Sequence, residues 1–103
     1  MTFIIIKIIC PDMIDAKRIT TYLIEKRYIS SAHYFPVKSI SSWAGKIEEV
    51  DEVICFLKTR EEHWGLVRTE IKAIHSYEVP CITRIIVDAN EEYESWVKKQ
   101  TSF

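Results

Sequence analysis

Only two glycines, Gly45 and Gly65, occur in the 103 residues, and neither sits in a glycine-rich phosphate loop. Phosphoryl chemistry therefore has no support in the sequence. Charge of one sign is missing too, since 14 Lys and Arg stand against 15 Asp and Glu. No global field draws the chain to nucleic acid or to an anionic membrane. The longest apolar run, Phe3 to Cys10, is interrupted by Lys7 and is too short to cross a bilayer. It lacks a basic lead-in and a small-residue cleavage site, so the expectation is a cytoplasmic protein with no membrane partner.

Strong metal motifs are also absent, with no Cys-x-x-Cys pair and no two histidines at helical ligand spacing. Cys10, Cys55 and Cys81 are odd in number and widely spaced among strand-forming residues, unlike a disulfide framework. They read as reduced, buried thiols. No repeat, linker or low-complexity tract divides the chain, and nearly half of its residues are apolar. Residues 1–103 therefore form a single domain able to bury one core.

Phe3, Ile4, Ile5, Ile6, Ile8 and Ile9 form a β-branched and aromatic run suited to a central strand, which Pro11 and Asp12 end. Asp12 caps a helix carrying Ala16, Ile19 and Leu23 at helical spacing, expected to reach about Tyr28. Residues 29–43 and 46–59 are rich in β-formers around Ala44-Gly45, a hairpin in which Pro36 marks a bulge or an edge position. Thr59 and Glu62 have capping-box spacing before a helix with Trp64, Val67, Ile71 and Ile74 on one stripe. A last strand, Cys81 to Val87, precedes a short helix capped by Asn90.

This order predicts an α+β, ferredoxin-like βαββαβ fold: an antiparallel sheet with two helices on one face, a long hairpin and a short C-terminal helix. Right-handed crossovers place the first and third strands in the middle. Cys10, His75, Cys81 and the hairpin turn then share one end of the sheet. Two thiolates and an imidazole there would suit copper or zinc, while the plainer reading makes the cysteines small hydrophobes. His33 and His63 read as solvated or locally hydrogen-bonded. The acidic residues Glu48, Glu49, Asp51 and Glu52 alternate between faces and read as a solvated surface or as ion pairs between subunits.

Each hairpin arm is about 14 residues against a usual strand of about 5 to 6, so its outer half should project beyond the helices. Ile40, Trp43, Ile47 and Val50 lie on that half, an apolar patch that oligomers bury.

The stretch Trp43-Ala44-Gly45-Lys46-Ile47-Glu48-Glu49, with Glu52-Val53, Lys58-Thr59, His75-x-Tyr77-Glu78-Val79-Pro80 and Tyr93-x-x-Trp96, resembles the CutA family of divalent-cation tolerance proteins. The match runs over nearly the whole chain. It implies a PII-like homotrimer in which neighbouring hairpins extend one another's sheets. It also implies binding of copper or another divalent metal, no enzymatic activity and no organic cofactor. Of the metal ligands familiar in bacterial members only a histidine, at His75, carries over, because their cysteine falls at Ile8 and their first histidine at Ile74. Ser41, Ser76, Cys81 and His33 replace a tyrosine, a proline, an acidic residue and an asparagine of the family pattern. The expected metal residues are His75, Cys10 and Cys81. Trp43, Lys46, Glu48, Lys58, Tyr77 and Glu78 are expected in a cleft between subunits, serving either a small ligand or intersubunit packing.

Overall fold

The computed structural model describes residues 2–103. Strand β1 (Thr2–Cys10) leads to α1 (Met13–Glu25), then β2 (Ser31–Trp43) and β3 (Lys46–Thr59). A 3-10 turn, Glu61–His63, introduces α2 (Trp64–Ile74), followed by β4 (Ile82–Asp88) and α3 (Glu91–Gln100). The sheet order is β2-β3-β1-β4, antiparallel throughout, with β1 and β3 in the middle as expected.

Strand alternation divides β1 into two sets of side chains. Ile4, Ile6, Ile8 and Cys10 join Val53, Cys55 and Leu57 of β3 in the core. Both α1, through Ala16, Ile19 and Leu23, and α2, through Val67 and Ile71, cover this same face. Burying an aliphatic side chain of this size contributes about 1.5–3 kcal/mol, so this one layer dominates stability. Phe3 has the opposite parity and meets Tyr93 of α3, with ring centroids 5.9 Å apart.

Strand β3 is longer than its inner partner. It pairs with β1 only from Val53, opposite Cys10, to Thr59, opposite Ile4. Its pairing with β2 runs on to Trp43 opposite Lys46. The outer half of the hairpin is therefore a two-stranded ribbon, closed by Ala44 and Gly45 at φ 50° and 79°, the left-handed pair a tight hairpin turn requires. It stretches the molecule to 46 × 24 × 21 Å and a radius of gyration of 14.4 Å, against about 13 Å for a compact chain of this length. Trp43 and Ile47 are 71% and 79% exposed on it. Pro36 pairs in unbroken register with Val53 on the outermost strand, so it marks an edge and not a bulge.

Two helix caps and one helix end differ from expectation. The capping box does not form: the Thr59 hydroxyl donates to the Tyr28 carbonyl at 2.6 Å instead, and α2 begins after the 3-10 turn. Asn90 precedes α3 as expected, but its side chain donates to Glu92 and makes no capping hydrogen bond. Helix α1 stops at Glu25, short of Tyr28, because the Tyr28 amide donates back to the Leu23 carbonyl and the Arg27 amide to Ile24. This Schellman closure needs a left-handed residue, and Arg27 supplies it at φ 64°. A side chain in that conformation costs about 1–2 kcal/mol, which glycine avoids. Arg27→Gly should therefore raise the unfolding free energy by about 0.5–1 kcal/mol, read as an increased urea midpoint at unchanged slope.

Candidate functional site

The end of α2 is tied across the end of the sheet by His75. Its Nδ1 accepts from the Tyr77 amide at 2.9 Å, so Nε2 carries the proton and donates to the Ile9 carbonyl at 2.7 Å. Ser76 donates to the Asp15 carboxylate. Arg18 holds Asp15 through Nε at 3.2 Å and reaches the Ile74 carbonyl at 2.8 Å. The Ser76 hydroxyl, with Arg18 beside it, keeps the Asp15 carboxyl below its ordinary range. Residues 75–77 are thus fastened to β1 and to α1.

From this anchorage Tyr77 reaches the hairpin, its hydroxyl donating to Glu52 Oε2 at 2.5 Å. Burial, and then the hydrogen bond to the Glu52 carboxylate, push the Tyr77 phenol above the usual tyrosine range. A cleft of about 600 Å3 opens beyond this bond, between the projecting ribbon and residues 76–79. Trp43, Glu48, Glu52, Tyr77 and Glu78 line it, with Ser41, Val50, Ser76 and Val79. Two aromatic faces and three carboxylates give it an acidic, partly apolar wall.

Of the residues expected in a cleft, Trp43, Glu48, Tyr77 and Glu78 come together within one protomer. Lys46 stands at the turn opposite Trp43 and does not line the cavity. Lys58 lies ten residues from Glu48 along β3, roughly 33 Å at strand rise. There its Nζ donates to the Tyr93 hydroxyl at 3.2 Å and sits 5.0 Å from that ring's centroid. Within the protomer Lys58 belongs to the seat of α3 and not to this cleft.

The expected soft-donor cluster is arranged differently. Cys10, His75 and Cys81 do share one end of the sheet, since His75 bonds Ile9 and Cys81 precedes the strand start paired with Ile8. Both ring nitrogens of His75 are engaged, however, and Cys10 is fully buried with its sulfur 4.0 Å from that of Cys55. Cys81 is half-buried and free. Among the described residues no three His, Cys, Asp or Glu side chains are grouped to hold a metal ion. The hydrogen bond to Cys55, then burial, push the Cys10 thiol up, so it keeps its proton. His63 bonds the Tyr28 carbonyl and the Thr59 hydroxyl, while His33 lies exposed on the edge strand.

Residues 4–100 match the family model of the CutA1 divalent ion tolerance protein. The chain belongs to the CutA1 family. The divalent-cation tolerance protein CutA of Archaeoglobus fulgidus is 40% identical over 93 residues, 89% of this chain and 91% of that one. Human protein CutA is 33% identical over 94 residues, 89% of this chain and 52% of the human one. Among solved structures, CutA1 from Pyrococcus horikoshii superposes with a TM-score of 0.94 at 39% identity, covering 97% and 99% of the two chains. The periplasmic divalent cation tolerance protein CutA of A. fulgidus gives 0.94 at 37% identity, covering 99% and 100%. These CutA1 structures confirm the α+β fold expected from the sequence.

No helix of the described residues is long and apolar enough to cross a membrane. Two members of the CutA1 site were not singled out beforehand, Glu52 as a cleft residue and Cys55 as a partner of Cys10. Strand parity carried the first: with Lys46 opposite Trp43, residues 48, 50 and 52 share one face. The second needs the β1–β3 register, which sets Cys55 opposite Ile8 and so diagonal to Cys10.

The Tyr77–Glu52 bond gives a pH signature. The unfolded phenol ionises near pH 10 and the folded one higher, so below that pH both states hold the proton and the bond's contribution is complete. Above it the unfolded chain loses its proton first, and stability falls as pH rises toward the folded value. Denaturation midpoints followed from pH 8 to 11 should decline less steeply in Tyr77→Phe.

Proposed function

We propose that this CutA1-family chain works as a homotrimer in divalent-metal tolerance, binding copper or another divalent ion passively and catalysing no reaction. What supports the metal reading is the acidic wall of the cleft, which Glu48, Glu52 and Glu78 line without converging on one point. Carboxylates concentrate cations at such a wall and supply oxygen ligands, with waters completing the shell. His75 must release the Ile9 carbonyl before its Nε2 can meet an ion, and Glu52 accepts from Tyr77, so Glu48, Glu78 and the half-buried Cys81 are the donors open to an entering metal. Three free thiols suit a reducing, cytoplasmic setting.

A second reading, a PII-like sensor or interaction scaffold, is favoured by the aromatic faces of Trp43 and Tyr77, which suit an organic ligand. Native mass spectrometry of gently purified protein separates the two, because a retained ion and a retained organic molecule differ in mass.

Calorimetric titration with Cu(II) should find about one site per protomer. The double variant Glu48→Gln, Glu78→Gln should bind roughly tenfold more weakly, a loss of about 1.4 kcal/mol. Unchanged binding in that variant removes the cleft as the site, and loss of binding in His75→Ala or Cys81→Ser would move it to those residues.

Association rests on the uncovered ribbon, and the count of three on the CutA resemblance. Ile40, Trp43, Ile47 and Val50 are exposed on it, and a two-stranded ribbon without a third strand or a cover is marginal in water. Light scattering of the unmodified chain at micromolar concentration should give a trimer. Trp43→Glu with Ile47→Glu should dissociate or aggregate it by placing a charge on each face of the ribbon that the neighbouring copies cover. A monodisperse monomer would contradict association, and a stable dimer the threefold count.

A further inference from the structure

The five arginines of the chain divide into two groups. Arg18, Arg27 and Arg60 each donate hydrogen bonds to oxygens of the fold. Arg68 on α2 and Arg84 on β4 do not: among the described residues neither has a hydrogen-bond or ion-pair partner. Both guanidinium carbons lie instead over the Trp64 ring, 5.2 and 5.0 Å from its centroid. Trp64, Arg68 and Lys72 recur every four residues along α2, beside the Val67 and Ile71 stripe that enters the core. Arg84 pairs with Ile6, so it stands on the core face of the sheet, but on an edge strand where it stays exposed.

Two guanidinium groups on one indole are at most about 10 Å apart, about one Debye length, so their charges repel. Each ring contact fixes the position of a guanidinium and leaves its N–H edge free to donate. Arg68 also opens onto a groove of about 370 Å3, lined with it by Lys72, Glu78, Val79, Pro80 and Ile82. Lys72 is exposed and likewise has no ion-pair partner among the described residues. We propose that this groove binds a small phosphate monoester, its head held by Arg68, Arg84 and Lys72 and its organic part lying along Val79, Pro80 and Ile82. Guanidinium forks match phosphate oxygens two at a time, and lysine adds a point charge. A phosphate carries about −1.5 to −2 at neutral pH and relieves the repulsion between the arginines, where a single carboxylate would neutralise only one of them. Glu78 and Val79 line this groove and the acidic cleft alike, so they form the wall between a basic and an acidic space. Glu78 opposes an anion and limits affinity. No bond is made or broken, and the site stands independently of metal binding across that wall.

The test is titration of the full, metal-free chain with phenyl phosphate and with inorganic phosphate, followed by calorimetry and by the indole N–H signals of the 15N-labelled protein. Phenyl phosphate should bind at one site per protomer, more tightly than inorganic phosphate, and should shift the Trp64 indole signal while leaving that of Trp43 in place. Arg68→Gln and Arg84→Gln should each weaken binding at least roughly tenfold, the worth of a hydrogen bond to a charged group. Arg84→Lys should also weaken it, because the charge stays and the fork is lost. Glu78→Gln should tighten it, in contrast to the loss expected for Cu(II), and Arg27→Gln, which removes a cation elsewhere, should leave it unchanged. These side chains are exposed, and the indole shift in the unmodified chain stands without any variant. Absence of heat and of a Trp64 shift, a shift at Trp43 instead, an equal loss in Arg27→Gln, or inorganic phosphate binding as tightly as the monoester would overturn the proposal. So would a change of oligomer size in Arg84→Gln with no phosphate bound to the unmodified chain, which would make a second copy the occupant.

Discussion

Strand β1 reaches only as far along β3 as Val53, and the seven residues of β3 beyond that point have β2 alone for a partner. This mismatch in length organises the rest of the molecule. On the inner side of Val53 every core position of β3 is covered by α1 and α2. On the outer side no helix of the protomer covers the ribbon, and Ile40, Trp43, Ile47 and Val50 stand exposed. The same step leaves room, just past Cys10, for residues 75–79 to cross the end of the sheet. A β1 longer by four residues would occupy the place where Tyr77 meets Glu52.

That crossing segment owes its position to His75. A neutral imidazole can accept at one nitrogen and donate at the other, and here it does both, joining the Tyr77 amide to the Ile9 carbonyl. The histidine that the family resemblance offers as a metal ligand is thereby the fastening of the cleft's floor. Glu48 and Glu78 line the cleft beyond the Tyr77–Glu52 bond, whereas the thiols of Cys10 and Cys55 are enclosed in the core.

Much of this was legible in the sequence because it depends on local pattern. The isoleucine run of β1, the Ala44-Gly45 turn and the helical stripes fix the element order, and handedness of crossovers fixes the topology. The hairpin arms fell where expected because their turn and alternation are both encoded nearby. Some of what failed was local, as where Arg27 closes α1 early, and the rest depended on hydrogen bonds between distant residues. Thr59 has capping-box spacing, but Tyr28 competes for its hydroxyl from 31 positions away. Lys58 carries a family motif, yet only the seat of α3 shows that its partner within the protomer is Tyr93. Proximity at one end of the sheet was correctly inferred for Cys10 and His75, but orientation was not: strand parity turns the Cys10 side chain inward to Cys55, while His75 spans backbone atoms.

The central claim is that a second copy of the chain covers the outer ribbon. Hydrogen–deuterium exchange of the intact protein at micromolar concentration addresses it most directly, because it reads residues 38–50 without altering them. A ribbon buried between copies should exchange its amides as slowly as β1 and the inner half of β3, and the protection should weaken on dilution if subunits part. Exchange of that segment on the scale of an open loop, while β1 remains protected, would contradict the account.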